Sequence, residues 1–266
     1  MTEYKLICSD VDGTLLDSTL NIMPRTKRII RKIVDMGIPF VISSARMPES
    51  IRSIMEKIGV RSPSICYCGA LVLDEHGMPL GETPIDAAVA AVCCKMITRD
   101  FPHINCSLYS DDKWLASHMS PQVEHTIKVT GILPEFVRFS ELDPSTKIHK
   151  MMCRGTQEQI TELETALKGQ FPQLNICQSH TTCLEIMSSR ASKAGGIEIL
   201  CRHYGITPAE VIAIGDNFND AEMLSYAGMG IAMGNAPAEI KRIANQVTTG
   251  NDEEGIYMAL RELIAV

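Results

Sequence analysis

Asp10-Val11-Asp12-Gly13-Thr14 directly follows Tyr4-Lys5-Leu6-Ile7-Cys8-Ser9, a short run that reads as a buried strand. Gly13 permits a turn, so the strand ends here and sets two carboxylates, one residue apart, at the rim of a sheet. Charges that close repel by several kcal/mol at an interior effective dielectric, unless a cation lies between them or one keeps its proton. The stretch implies a metal, or an acid and a nucleophile with divided roles. Against this stands the ordinary reading of a turn after a strand, because Asp and Gly are common turn residues.

Outward from that point the pattern is βαβαβ. Pro24 opens a helix with Ile29, Ile30, Ile33 and Val34 on one face and Arg25, Lys27, Arg28, Arg31 and Lys32 on the other, solvated, face. A strand Ile38 to Ser43, a helix Pro48 to Ile58 and an apolar run Ile65 to Cys68 follow. Strands alternating with helices of this length predict an α/β fold, a doubly wound Rossmann-like parallel sheet with ligands at the carboxyl ends of its strands. Asp10 and Ser43-Ser44-Ala45-Arg46 both fall at such ends.

From Pro84 to Ser189 the texture changes to an Ala-rich helix (Ile85 to Thr98) and short alternating segments, Asn105 to Ser110 and Lys113 to His118. A helix Gln122 to Thr130, a strand Ile148 to Cys153, a helix Gln157 to Lys168 and strands Asn175 to Ser179 and Cys183 to Met187 complete a separate α+β module. Residues 84–189 are therefore expected to form an inserted cap domain, and 1–83 with 190–266 the catalytic core. The first texture returns with a helix Lys193 to Tyr204, a strand Val211 to Ile214, and Gly215-Asp216-Asn217-Phe218-Asn219-Asp220 opening another helix.

The bulk composition narrows the classes. The net charge of −7 gives no support for general affinity toward nucleic acid or an anionic membrane, and 45% apolar residues suffice for a buried core. Ten cysteines contain no C-x-x-C pair and lie mostly in apolar runs, which argues for reduced thiols rather than zinc or disulfides. No basic leader and no long uncharged apolar stretch is present, so the expected location is cytoplasmic. Oligomeric state leaves no mark in the sequence.

In a doubly wound sheet Asp10, Asp12, Ser44, Lys193, Asp216 and Asp220 converge on one crevice. Hard oxygen donors without sulfur or imidazole select magnesium, which keeps several waters and leaves room for a substrate phosphate.

These residues resemble the haloacid dehalogenase superfamily, in its Cof-type branch, over essentially the whole chain. The motifs are Asp10-Val11-Asp12-Gly13-Thr14-Leu15-Leu16, the strand Val41-Ile42-Ser43-Ser44, Lys193 at a helix start, and Gly215-Asp216-Asn217-Phe218-Asn219-Asp220-Ala221-Glu222-Met223. Ile231-Ala232-Met233-Gly234-Asn235-Ala236 and Asn251-Asp252-Glu253-Glu254-Gly255-Ile256 add to the likeness. The chain departs from the family with Ala45 in place of Gly, Cys68 in place of an amide, and Ala194 after the lysine.

The resemblance implies a Mg2+-dependent phosphatase of small phosphorylated metabolites, sugar phosphates first. Asp10 would be the nucleophile, and Asp12 would protonate the leaving oxygen and then deprotonate water. Magnesium would be held by Asp10, Asp216 and the Asp12 backbone carbonyl. Ser44, Ala45, Lys193 and Asn219 would bind phosphate, and Asp220 would support the metal or orient Lys193. Thr14 is expected to bond the loop backbone, and Arg46 to meet substrate or a surface carboxylate. Two alternatives share the chemistry: a phosphomutase, and a receiver-like module that holds phosphate on Asp10.

Overall fold

A computed structural model describes residues 4–263. The chain divides into two compact units, Met1–Glu82 with Ser192–Val266, and Thr83–Ala191.

The first unit holds β1 (Leu6–Ser9), α1 (Pro24–Asp35), β2 (Phe40–Ser43), α2 (Pro48–Ile58), β3 (Ser64–Cys66), β4 (Leu71–Leu73) and β5 (Pro79–Glu82). In the second unit lie α3 (Ala87–Asp100), β6 (Asn105–Ser110), β7 (Lys113–Ala116), α4 (Pro121–Thr130), β8 (Glu135–Phe136), β9 (Lys150–Arg154), α5 (Gln157–Gln170), β10 (Leu174–His180) and β11 (Cys183–Ser188). The chain then re-enters the first unit with α6 (Lys193–Tyr204), β12 (Val211–Gly215), α7 (Ala221–Tyr226), β13 (Met229–Ala232), α8 (Ala238–Ile243), β14 (Gln246–Val247) and α9 (Gly255–Leu260).

The first unit's sheet runs β14-β13-β12-β1-β2-β3-β4-β5. The pairings from β14 to β3 are parallel, and β4 and β5 add an antiparallel edge. β1, β2 and β12 are buried at every residue, which is why they read as continuous apolar runs rather than alternating ones. From β1 the chain winds one way through β2 and β3, and after the second unit it returns on the other side through β12 and β13. The order therefore reverses between β1 and β12, whose ends, Ser9 and Gly215, open onto the crevice where such sheets bind ligands.

The second unit's sheet runs β10-β11-β9-β6-β7-β8 and is antiparallel except for β7 with β8. One face packs on α3 and α5 through Leu108, Met151, Leu184 and Ile186 against Ile97, Ile160, Leu163 and Leu167.

Several boundaries differ from the sequence reading for local reasons. The expected strand Ile65 to Cys68 ends at Cys66, because Tyr67 and Cys68 both adopt φ +52 in a tight turn. The expected helix from Ile85 begins at Ala87, because the Asp86 carboxylate accepts from Ala88 N and Val89 N, while Ile85 bridges to Ile148. The helix expected to open within 215–220 starts at Ala221, after a short turn capped by Asn217. Strands β4, β5, β8, β13 and β14 and helices α8 and α9 lie outside the elements that the sequence predicts; three of these strands have no more than three residues, too short for periodicity to register. All ten cysteines are free thiols, and no helix among the described residues is long and apolar enough to cross a membrane.

Candidate active site

Lys193 is the first residue of α6, whose start is fixed by Ser192, with its hydroxyl accepting from Gly195 N at 3.1 Å. Its ammonium is buried and donates to Asp10 Oδ1 at 2.5 Å and to Asp220 Oδ1 at 2.6 Å. Asp10 comes from the end of β1, its N–H held by Ile214 O at 2.9 Å. Asp220 spends its second oxygen on the backbone N–H groups of Asp216 and Asn217, at 2.9 and 3.0 Å. That carboxylate thus ties the β12 loop to the lysine and leaves little free to bind anything else.

Asp216 faces this pair from the end of β12. Thr14 Oγ1 donates to Asp216 Oδ1 at 2.7 Å, so Thr14 orients a side-chain carboxylate rather than the loop backbone expected of it. Gly13, at φ +84, has to be glycine twice over: the backbone is left-handed, and a Cβ there would lie 2.4 Å from Asp216 Oδ2. Asn235 donates to Gly13 O at 2.8 Å and reaches Asp216 Oδ2 at 3.4 Å, while its own oxygen accepts from Asn251 N at 3.1 Å. Asn251 also donates to Leu16 O at 2.9 Å. Sequence reasoning gave these two asparagines no task; the signal was their place in the Ile231–Ala236 and Asn251–Ile256 stretches of the family likeness.

Asp12 and Arg46 lie apart from this buried cluster. Arg46 grips the Asp12 carboxylate with two hydrogen bonds, 2.6 Å from Nη2 and 3.0 Å from Nε, and the Asp12 side chain is 55% exposed. Burial would lower the Arg46 pKa, but the hydrogen bonds and charge of Asp12 outweigh it and hold the guanidinium above its usual value. Ser44 is buried beside β1's end; its N–H donates to Ile65 O at 2.8 Å and its hydroxyl accepts from Arg46 N at 3.3 Å. Ala45, partly buried, sits between them. Asn219 is exposed in the turn before α7, outside the hydrogen-bonded cluster.

The electrostatics follow from burial. Desolvation pushes the Asp10 carboxyl up to about 7, with Lys193 opposing and Asp220 reinforcing the rise. Burial likewise raises Asp216, against its bond from Thr14. Lys193 rises despite burial, because Asp10 and Asp220 flank it. Oxygens of Asp10, Asp216 and Asp220 all lie within 4.8 Å of one another. This donor set holds neither sulfur nor imidazole, and with Asp220 already engaged, Asp10 and Asp216 remain as two hard ligands. The residues present fit a small divalent cation of the magnesium kind.

A buried lysine–carboxylate pair at the switch point of a parallel sheet, beside a second strand-end carboxylate, defines a class of enzyme that the whole chain matches. A family model of haloacid dehalogenase-like hydrolases covers residues 7–260, and the chain belongs to that family. Among its relatives, a Haemophilus influenzae protein named "Putative phosphatase" is 36% identical over 260 residues, covering 97% of this chain and 98% of that one. An "HMP-PP phosphatase" of Serratia proteamaculans is 27% identical over 249 residues, covering 92% and 89%. The solved structure of a haloacid dehalogenase-like hydrolase from Bacteroides thetaiotaomicron superposes with a TM-score of 0.89 at 25% identity, covering 98% and 100%.

Proposed function

We propose that this hydrolase is a magnesium-dependent phosphatase that cleaves monoesters of small phosphorylated metabolites through a phosphate bound covalently to Asp10. The observation that carries the reading is the buried ammonium of Lys193 against Asp10 Oδ1. A phosphate monoester is a dianion, and a carboxylate can approach it only where fixed positive charge offsets both.

Asp10 attacks phosphorus as the ester P–O bond breaks, and the departing oxygen takes a proton from Asp12. Water then attacks the aspartyl-phosphate, Asp12 takes its proton, and inorganic phosphate leaves with Asp10 restored. Asp10 and Asp216, with the Asp12 carbonyl that the family likeness adds, would hold magnesium, which would neutralise charge on the transferring phosphoryl group. Lys193 and Ser44 bind its oxygens, and Asp220 positions the lysine. The unit Thr83–Ala191 selects the substrate, for which sugar phosphates are the class brought by family likeness.

The test is hydrolysis of an aryl phosphate with and without magnesium, in the wild type and in Asp10→Asn. Magnesium-dependent phosphate release, lost in a variant whose circular dichroism is unchanged, is the expected result. Retained activity in Asp10→Asn would remove the nucleophile, and a wild type that transfers phosphate between sugars without releasing it would be a mutase.

A further inference from the structure

Asp216 is held at both oxygens, from two different loops. Thr14 donates to Oδ1, and Asn235, 19 positions further along the chain, reaches Oδ2. Asn235 stands just past the end of β13, in a loop that backbone contacts fix by themselves. Met233 N donates to Gly215 O and Gly234 N to Thr249 O, both at 3.0 Å, and a Cβ on Gly234 would lie 2.7 Å from Gly250 N.

The amide of Asn235 meets three groups at once. Its nitrogen donates to Gly13 O at 2.8 Å and to Asp216 Oδ2 at 3.4 Å, and its oxygen accepts from Asn251 N. Two protons to give and an oxygen to accept, on one planar group, are what a side-chain amide carries; a hydroxyl has one proton and a carboxylate none. The reverse placement would turn the amide oxygen onto two other oxygens, so the network fixes its sense. Burial does not demand these bonds. Asn235 is exposed and water can serve its polar atoms, yet the amide is turned onto the catalytic loop and Asp216.

Asn251 lies on a turn that hooks the same loop further along. Its Nδ2 donates to Leu16 O at 2.9 Å, and Asp252 Oδ1 accepts from Ser18 N at 2.7 Å. Glu254, at φ +56, where a residue other than glycine is strained, pairs with Arg25 Nε at 3.7 Å. Residues 13–18 are thus bracketed by hydrogen bonds to Asp216, Asn235, Asn251 and Asp252.

We propose that Asn235, backed by Asn251, is a positioning residue for the divalent cation: it fixes the Asp216 carboxylate and the Gly13 peptide relative to one another, and so sets the affinity for magnesium and the discrimination against calcium. Magnesium demands near-ideal octahedral ligation, while the larger calcium ion accepts irregular sites, so a loosened carboxylate penalises magnesium more. Removing a hydrogen-bond partner of a metal ligand weakens metal binding by about 10- to 100-fold. The inference rests on the phosphatase reading for the identity of the ion, but it is read from ion binding and not from turnover.

Calorimetric titration of the whole chain with magnesium chloride and with calcium chloride tests it. Asn235→Ala should raise the magnesium Kd by at least about tenfold and the calcium Kd by less, narrowing their ratio by about threefold. Asn235→Ser, with one donor left, should fall between that variant and the wild type, and it carries the test if Asn235→Ala fails to fold. Asn251→Ala keeps the backbone N–H that Asn235 accepts from, and should raise the magnesium Kd by a smaller factor. The control is Asn245→Ala. Asn245 also ties down backbone, accepting from Gly230 N at 2.7 Å, but among the described residues it bonds neither Asp216 nor the loop 13–18. This variant should leave both constants within about twofold of the wild type.

Melting of the metal-free proteins, followed by circular dichroism, separates folding from binding. A merely structural Asn235 would lower the melting temperature and leave both constants alone. That result, or equal rises for the two ions, would overturn the assignment. A wild type that binds magnesium, with the expected pattern in its variants, but releases no phosphate from an aryl ester keeps the bracket and removes the phosphatase. Phosphate release with a magnesium affinity indifferent to Asn235 does the reverse, and a wild type without affinity for magnesium removes both.

Discussion

Lys193 Nζ lies 2.5 Å from Asp10 Oδ1 although 183 positions separate the two residues in the chain. One buried cation thereby answers two buried carboxylates, Asp10 and Asp220, and removing it exposes their repulsion. Lys193→Met should abolish turnover and lower unfolding stability by about 3 kcal/mol at pH 8, the range seen when one partner of a buried ion pair is deleted. The loss should shrink at pH 5, where the Asp10 carboxyl takes up a proton instead. Urea denaturation at the two pH values checks this; equal losses would contradict it.

Burial pushes the Asp10 carboxyl up to about 7, above the 3.8 of an ordinary Asp. Between those values the folded state holds a proton that the unfolded chain has released, so this group's contribution to stability declines as pH rises from about 4 to 7. Magnesium needs the ionised form and must displace that proton. Its affinity should fall roughly tenfold per pH unit below 7 and level off above it. Titration calorimetry in two buffers of different ionisation enthalpy should show proton release at pH 6 and little at pH 8.5.

A half-buried Arg46 holds the exposed Asp12 carboxylate with two hydrogen bonds, and the proposed chemistry needs Asp12 free to reach the leaving oxygen. Arg46→Ala should lower stability by about 1 kcal/mol, because the Asp12 end of the pair is open to water, and keep measurable turnover. With an aryl phosphate, whose leaving oxygen departs without needing a proton, Asp12→Asn should stall after the first displacement, and mass spectrometry of the quenched protein should find phosphate on Asp10. A variant that turns over freely would assign the proton transfer elsewhere.

Gly69 adopts φ +98, and a Cβ there would meet the Ser192 carbonyl oxygen at 2.0 Å. Gly69→Ala should cost at least about 2 kcal/mol through strain and backbone displacement. Because Ser192 precedes Lys193, the variant should also lose activity that Gly77→Ala, at a glycine of similar φ with open space around it, retains. Melting temperatures and aryl phosphate hydrolysis measured on both variants decide the matter.

Much of the core was legible because its signals are local. Continuous apolar runs announced β1, β2 and β12, and Pro24 and Pro48 marked where α1 and α2 begin. The short strands were not legible: β14 has two residues and β4 three, and their pairing depends on neighbours distant in the chain. At the site, residue types gave the cluster, but not the division of labour within it. That Thr14 bonds Asp216, or that Asp12 meets Arg46, depends on side-chain directions set by Gly13 and by the end of β2, which no spacing rule encodes.

The chain leaves the first unit after Glu82 and returns at Ser192, one residue before the lysine that clamps Asp10. The return point is anchored by the tight packing of Gly69 on Ser192 and by the serine's own bond to Gly195 N. Exchange of the segment between exit and return, with the splice kept upstream of Ser192, is therefore expected to leave the Lys193–Asp10 clamp in place, and for protein engineering the seam is written in the backbone at residue 192.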